Sequence, residues 1–120
     1  MTTPKPTLFH NPQCSKSRSA KEILESSGAE YELVEYLKAP PSRAELERIV
    51  ELIDDPPAAL VRSGDPKFKA LGLAKGDYVD GAAVVDLLVE HPELMERPVV
   101  VVGDRAVIGR PPERVSELLG

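Results

Sequence analysis

The chain holds a single cysteine, Cys14, within the polar run HNPQCSKSR at residues 10–18. A lone sulfur closes no internal disulfide, so its chemistry is that of a free thiol. The residues before it, Thr7, Leu8 and Phe9, read as a short strand, and those after it have helical spacing. Cys14 is therefore expected at a helix start. There the N–H groups of Ser15, Lys16 and Ser17 lack intrahelical acceptors, and the helix dipole places partial positive charge. Lys16 and Arg18 add full charges. All of these favour thiolate over thiol. A depression of two pH units would correspond to roughly 2.7 kcal/mol. Ser17, one turn on, is placed to donate a hydrogen bond to the sulfur. His10, four positions earlier, is placed to tune the loop or the thiolate. An inert core residue is the commoner role of a lone cysteine, but the polar neighbours turn the balance toward a nucleophile. His10 reads equally well as a plain loop histidine, and Ser17 as a surface helix serine.

The position that a C-x-x-C pair would give to a second cysteine holds Ser17. Any oxidised or substrate-bound state of Cys14 must then be resolved by an external thiol. A phosphatase-like C-x5-R loop is absent too, because Ala20 stands where the arginine would be. Three arginines lie at expected element edges: Arg62 after an apolar run, Arg97 before Pro98, and Arg110 before Pro111 and Pro112. Guanidinium forks suit a tetrahedral oxyanion. Spacing alone fits three surface charges better.

The elements that must hold these residues follow from periodicity and punctuation. A helix is expected over residues 15–27, with Ala20, Ile23, Leu24 and Ser27 on one face and Gly28 as its stop. Residues 31–36 read as a strand. Ser42 and Glu45 form a capping box ahead of Leu46, Ile49, Val50 and Ile53 on one helical face. Shorter helical pieces are expected near 57–61 and 65–71, and another helix over 81–90 with Val84, Leu87 and Leu88 inward. Val99, Val100, Val101 and Val102 mark a strand buried on both faces. Gly103-Asp104 turns into a hairpin partner over 106–108. Residues 111–119 close the chain as a helix with Val115, Leu118 and Leu119 inward. This β-α-β, helical insert, β-β-α order is that of an α/β, thioredoxin-like fold, expected as one domain over residues 1–120. Its small mixed sheet has about four strands, with a helical insertion after the second. Arg97-Pro98 falls where that fold usually places a cis-proline.

Composition sets the limits. With 120 residues, 42% of them apolar, the chain suits an ordered domain with a modest core. The formal charge of −5 argues against general nucleic-acid binding, which needs a basic face. No apolar run approaches the roughly 20 residues of a membrane span. Residues 1–6 lack the apolar stretch of a signal peptide, so a cytoplasmic protein is expected. One cysteine and two histidines nearly exclude a structural zinc site.

The segment HNPQCSKSR at 10–18 resembles the active-site signature of the arsenate reductases that use glutathione and glutaredoxin. The resemblance continues through EYLKAPPSRAEL at 35–46, EHPELMERPV at 90–99 and VIGRPPE at 107–113, in order along nearly the whole chain. It implies a Cys14 nucleophile whose thiolate is supported by His10 and Ser17. It also implies that Arg62, Arg97 and Arg110 bind the arsenate oxyanion, with Ser15 and Lys16 at the helix start assisting. Glutathione would act as co-substrate and glutaredoxin as the partner that clears the resulting disulfide. No metal, flavin or nicotinamide would be bound, and a monomer is expected. Gln13 departs from the pattern, since many members carry a basic residue there. The regulatory branch of the same fold, the Spx-type transcription factors, offers the alternative of a redox-responsive binding protein acting through Cys14. That branch typically has C-x-x-C, and Ser17 together with the full arginine set argues against it.

Overall fold

In the computed structural model, which describes residues 5–28 and 30–119, β1 (Thr7–His10), β2 (Glu32–Glu35), β3 (Val99–Val102) and β4 (Arg105–Ile108) form one sheet. Its order is β2-β1-β3-β4. β1 pairs parallel with β2, Leu8 opposite Leu33, and antiparallel with β3, Leu8 opposite Val100. β3 and β4 make the expected hairpin, Val100 opposite Val107. Gly103 turns it at φ 61°, a conformation that a side chain resists. The described residues group into two compact units: those up to Ala39 together with those from Arg97 onward, and Pro40–Glu96. Sheet, order and insertion are those of the thioredoxin-like α/β class.

The first unit contains the sheet, α1 (Ser15–Ser26) and the C-terminal segment. Ala20 and Leu24 of α1 meet Leu8, Val100, Val102, Val107, Val115 and Leu118 in one buried cluster. This is the apolar stripe read from the sequence, with two corrections. Ser27 is exposed and caps the helix, donating its hydroxyl to the Leu24 carbonyl at 2.6 Å rather than facing inward. Val101 is only half-buried, so β3 is not sealed on both faces along its length. The last helix is also divided, into a 3-10 turn at Pro112–Val115 followed by α5 (Ser116–Leu119). The chain tightens there, with the Arg114 N–H bonding the Pro111 carbonyl at 3.0 Å.

The second unit is helical. α2 (Arg43–Leu52) and α4 (Gly81–Glu90) pack together closely enough that a β carbon on Gly81 would lie 3.0 Å from Val50 Cγ1. Between them lie a 3-10 turn at Pro57–Leu60, α3 (Pro66–Ala70) and a further 3-10 turn at Lys75–Asp77. A last 3-10 turn, Pro92–Leu94, follows α4, and the Lys75–Asp77 and Pro92–Leu94 turns were not expected from periodicity. Asp65 and Asp80 cap α3 and α4, accepting from the Lys67 and Ala83 N–H groups. Among the described residues no helix is long and apolar enough to cross a membrane.

The capping box at the start of α2 forms as expected. Ser42 Oγ accepts from the Glu45 N–H at 3.1 Å, and Glu45 Oε1 accepts from the Ser42 N–H at 2.9 Å. Replacing Ser42 with alanine removes one of these bonds and should lower stability by about 1 kcal/mol in a urea titration. An unchanged midpoint would mean that α2 is held by packing alone.

Candidate active site

β1 delivers the chain to a tight loop and α1 leaves it, with Cys14 as the N-cap residue between them. The loop closes on itself through three hydrogen bonds. The Cys14 N–H donates to the Asn11 carbonyl at 3.0 Å, and the Gln13 N–H donates to Asn11 Oδ1 at 3.0 Å. Arg18 Nη1 donates to the Pro12 carbonyl at 3.0 Å. The guanidinium of Arg18 therefore braces the loop backbone, where the sequence had suggested only a charge near the sulfur. Asn11 is the loop's main organiser, and an asparagine ahead of a proline is the turn signal that could have identified it.

Ser17 and His10 lie beneath this loop. Ser17 is fully buried and His10 is 3% exposed. Ser17 Oγ accepts from the Asn11 N–H at 2.9 Å and shares a 2.7 Å hydrogen bond with His10 Nδ1. The Ser17 hydroxyl is thus committed to the loop and to His10, and it is the backbone N–H of Ser17 that serves the sulfur. Burial lowers the His10 pKa, Lys21 adding to the effect. The ring is accordingly neutral at pH 7 and fits its buried place without an unpaired charge. His10 joins the loop through its hydrogen bond to Ser17.

Around the half-buried Cys14 sulfur, burial pushes the thiol pKa up. The Ser17 N–H, the Arg97 guanidinium and the Lys16 N–H outweigh it, and the net pKa lies below the ordinary thiol value. α1 has no acidic residue in its first turn to compete for its positive end. Arg110 completes the arrangement. Its Nε donates to the Arg97 carbonyl at 2.9 Å, and its Nη2 approaches Cys14 Sγ at 3.6 Å. The Arg97–Pro98 bond is cis, as the fold led one to expect, and so is Arg110–Pro111, which nothing in the sequence signalled.

Of the residues singled out from the sequence, Cys14, His10, Ser15, Lys16, Ser17, Arg97 and Arg110 fall in the sheet-bearing unit. Ser15 and Lys16 are exposed on the first turn of α1. Arg62 belongs to the helical unit, where its guanidinium pairs with Asp65 and lies 3.9 Å from Glu96 Oε1. Among the described residues no three His, Cys, Asp or Glu side chains gather where they could hold a metal ion.

A single cysteine at a helix start with two arginines directed at it, in a fold whose β3 follows a cis-proline, defines the class as thioredoxin-like. The profile of the ArsC family matches residues 9–118, and the chain belongs to that family. An arsenate reductase of Neisseria meningitidis is 38% identical to it, the match covering 97% of this chain and 99% of that protein. The uncharacterized protein YfgD of Escherichia coli is 40% identical over 94% of this chain and 95% of its own. Among solved structures, an arsenate reductase from Vibrio cholerae superposes with a TM-score of 0.85 at 35% identity, covering 98% of this chain and 99% of that one.

Two outcomes follow from this geometry. The rate of Cys14 alkylation by iodoacetamide should rise with pH at a midpoint below that of a free cysteine, because only the thiolate reacts. A midpoint at or above the free-cysteine value would contradict the electrostatics described here. Replacing Ser17 with alanine leaves the Asn11 N–H and His10 Nδ1 unpaired and should cost about 1–3 kcal/mol in chemical denaturation.

Proposed function

We propose that this protein is an oxidoreductase that reduces arsenate to arsenite through a covalent Cys14–arsenic adduct, with glutathione and glutaredoxin as external reductants. The observation that carries the reading is the surroundings of the sulfur. A half-buried thiol has the Lys16 and Ser17 amides, the Arg97 guanidinium and Arg110 Nη2 directed at one anionic position. A thiol that only senses oxidation needs depressed pKa and access, not a pair of arginines suited to an oxyanion. Likeness to arsenate reductases at 35–38% identity over nearly the whole chain supports the same substrate.

In this scheme arsenate docks on Arg97, Arg110 and the first-turn amides of α1, with the exposed Ser15 and Lys16 at the rim. Arg62 keeps the oxyanion role that the family likeness gives it. The Cys14 thiolate attacks arsenic, forming a sulfur–arsenic bond as one oxygen leaves as water or hydroxide. The two guanidinium groups stabilise the negative charge on the remaining oxygens. Glutathione then forms a second thiol bond to arsenic, displacing a further oxygen as water or hydroxide. As the Cys14–glutathione disulfide forms, the two thiols together give up two electrons and arsenic passes from the +5 to the +3 state. Arsenite leaves, and glutaredoxin exchanges the mixed disulfide to restore Cys14. Ser17 makes the external thiol obligatory, since the chain has no second cysteine. The chemistry calls for no resident metal, flavin or nicotinamide, and a cytoplasmic monomer is consistent with a glutathione-dependent reaction.

The test is arsenite formation by the purified protein with arsenate, glutathione and glutaredoxin. Cys14→Ser should reduce it to background while the circular dichroism spectrum is kept. Arg97→Ala should raise the arsenate concentration needed by about tenfold or more, the worth of a charge-assisted hydrogen bond. Reduction that persists in folded Cys14→Ser would exclude the mechanism.

A further inference from the structure

The two arginines beside Cys14 are carried on separate segments, one before β3 and one after β4, and these segments meet where Gly109 lies against Pro98. The Gly109 N–H donates to the Pro98 carbonyl at 2.8 Å, extending the β3–β4 pairing by one bond beyond Val99 and Ile108. Gly109 is buried, and a β carbon there would stand 2.8 Å from Pro98 Cγ and 3.3 Å from Val115 Cγ2. Neither neighbour can yield easily. Pro98 Cγ belongs to a ring closed on its own backbone nitrogen, and Val115 is fully buried in the core of this unit. The backbone angle of Gly109 is not in the left-handed region, so alanine could adopt it. What glycine supplies at this position is space.

That space governs where the guanidinium groups sit. The Arg97 carbonyl is bonded directly to the Pro98 nitrogen, and Arg110 follows Gly109 in the chain. When the Pro98 ring lies against Gly109, the Arg97 carbonyl is within 2.9 Å of Arg110 Nε, and Nη2 of the same guanidinium reaches Cys14 Sγ at 3.6 Å. A shift of Arg110 relative to the Arg97 carbonyl would turn Nη2 away from the sulfur. We propose that Gly109 is a positioning residue for the site: its missing β carbon sets the spacing of Arg97 and Arg110, so that Arg110 pivots on the Arg97 carbonyl and aims at the Cys14 sulfur. Gly109 touches neither substrate nor sulfur and acts through these two arginines.

The experiment follows Cys14 alkylation by iodoacetamide against pH, and needs no assumption about the substrate. Four variants of the full chain are compared: Gly109→Ala, Arg110→Lys, the double replacement, and Gly76→Ala as a glycine with open space around it. Arg110→Lys keeps the charge and loses the Nε donor, so it tests the pivot with the glycine intact. Gly109→Ala and Arg110→Lys should each fold and should each lower the thiolate fraction at neutral pH, by about three- to tenfold. The double variant should lose less than the product of the two single effects, since both act through one contact. Gly76→Ala should match the parent. Three results would each overturn the proposal: an alkylation profile unchanged by Gly109→Ala, single effects that simply multiply, or a Gly109→Ala chain that does not fold and so needs the glycine for the whole structure.

Discussion

Holding a negative sulfur partly out of water is the constraint on which the rest of this structure depends. Burial by itself would keep Cys14 protonated and unreactive. The compensation comes from groups that are fixed by the fold before any substrate arrives. Helix α1 offers its unpaired first-turn amides, and it can do so because its opening residues are serine and lysine and not aspartate or glutamate. The Arg97 guanidinium adds a full charge, and Arg110 brings a second one within reach. In the proposed reaction, the groups that favour the thiolate are the ones that would hold an oxyanion beside it.

The loop that holds the sulfur depends on a short buried polar chain. Ser17 uses its hydroxyl twice, toward Asn11 and toward His10, and so ties the end of β1 to the first turn of α1. Buried polar groups are tolerated when their partners are satisfied, and here the satisfaction is local and geometrically specific. A neutral His10 is part of that solution, because a buried imidazolium among Lys21 and Arg18 would be opposed by both. Ser17, standing where a C-x-x-C pair would have its second cysteine, thus denies the chain an internal disulfide and ties down the loop that carries Cys14.

The arginines show how far element edges can specify a site. Arg97 and Arg110 sit on the flanks of a hairpin whose apolar strands are buried, and the hairpin register leaves their side chains close to Cys14. Arg62 is placed differently, in the helical unit and in the company of Asp65 and Glu96. Three residues of one type at similar-looking positions in the chain therefore begin from different electrostatic surroundings.

Much of this was determined by the sequence. The β-branched run of β3, the stripe of Ala20 and Leu24, the Ser42–Glu45 box and the position of Cys14 between strand and helix are local patterns, and each became the element it indicated. Local rules also erred where short-range chemistry competes, at Ser27, Val101 and the proline-opened last helix. Motif order along the chain indicated the family, because the resemblance ran through four segments rather than one. Tertiary structure alone decided what each side chain does. It gave Ser17 to His10 and Asn11, gave Arg18 to a loop carbonyl, made the Arg97 carbonyl a support for Arg110, and set Gly109 against a proline eleven residues away. The division has a physical reason: periodicity and capping depend on neighbours within a turn or two. Hydrogen-bond partners and close approaches depend on distances of a few tenths of an ångström between segments that only the folded sheet brings together.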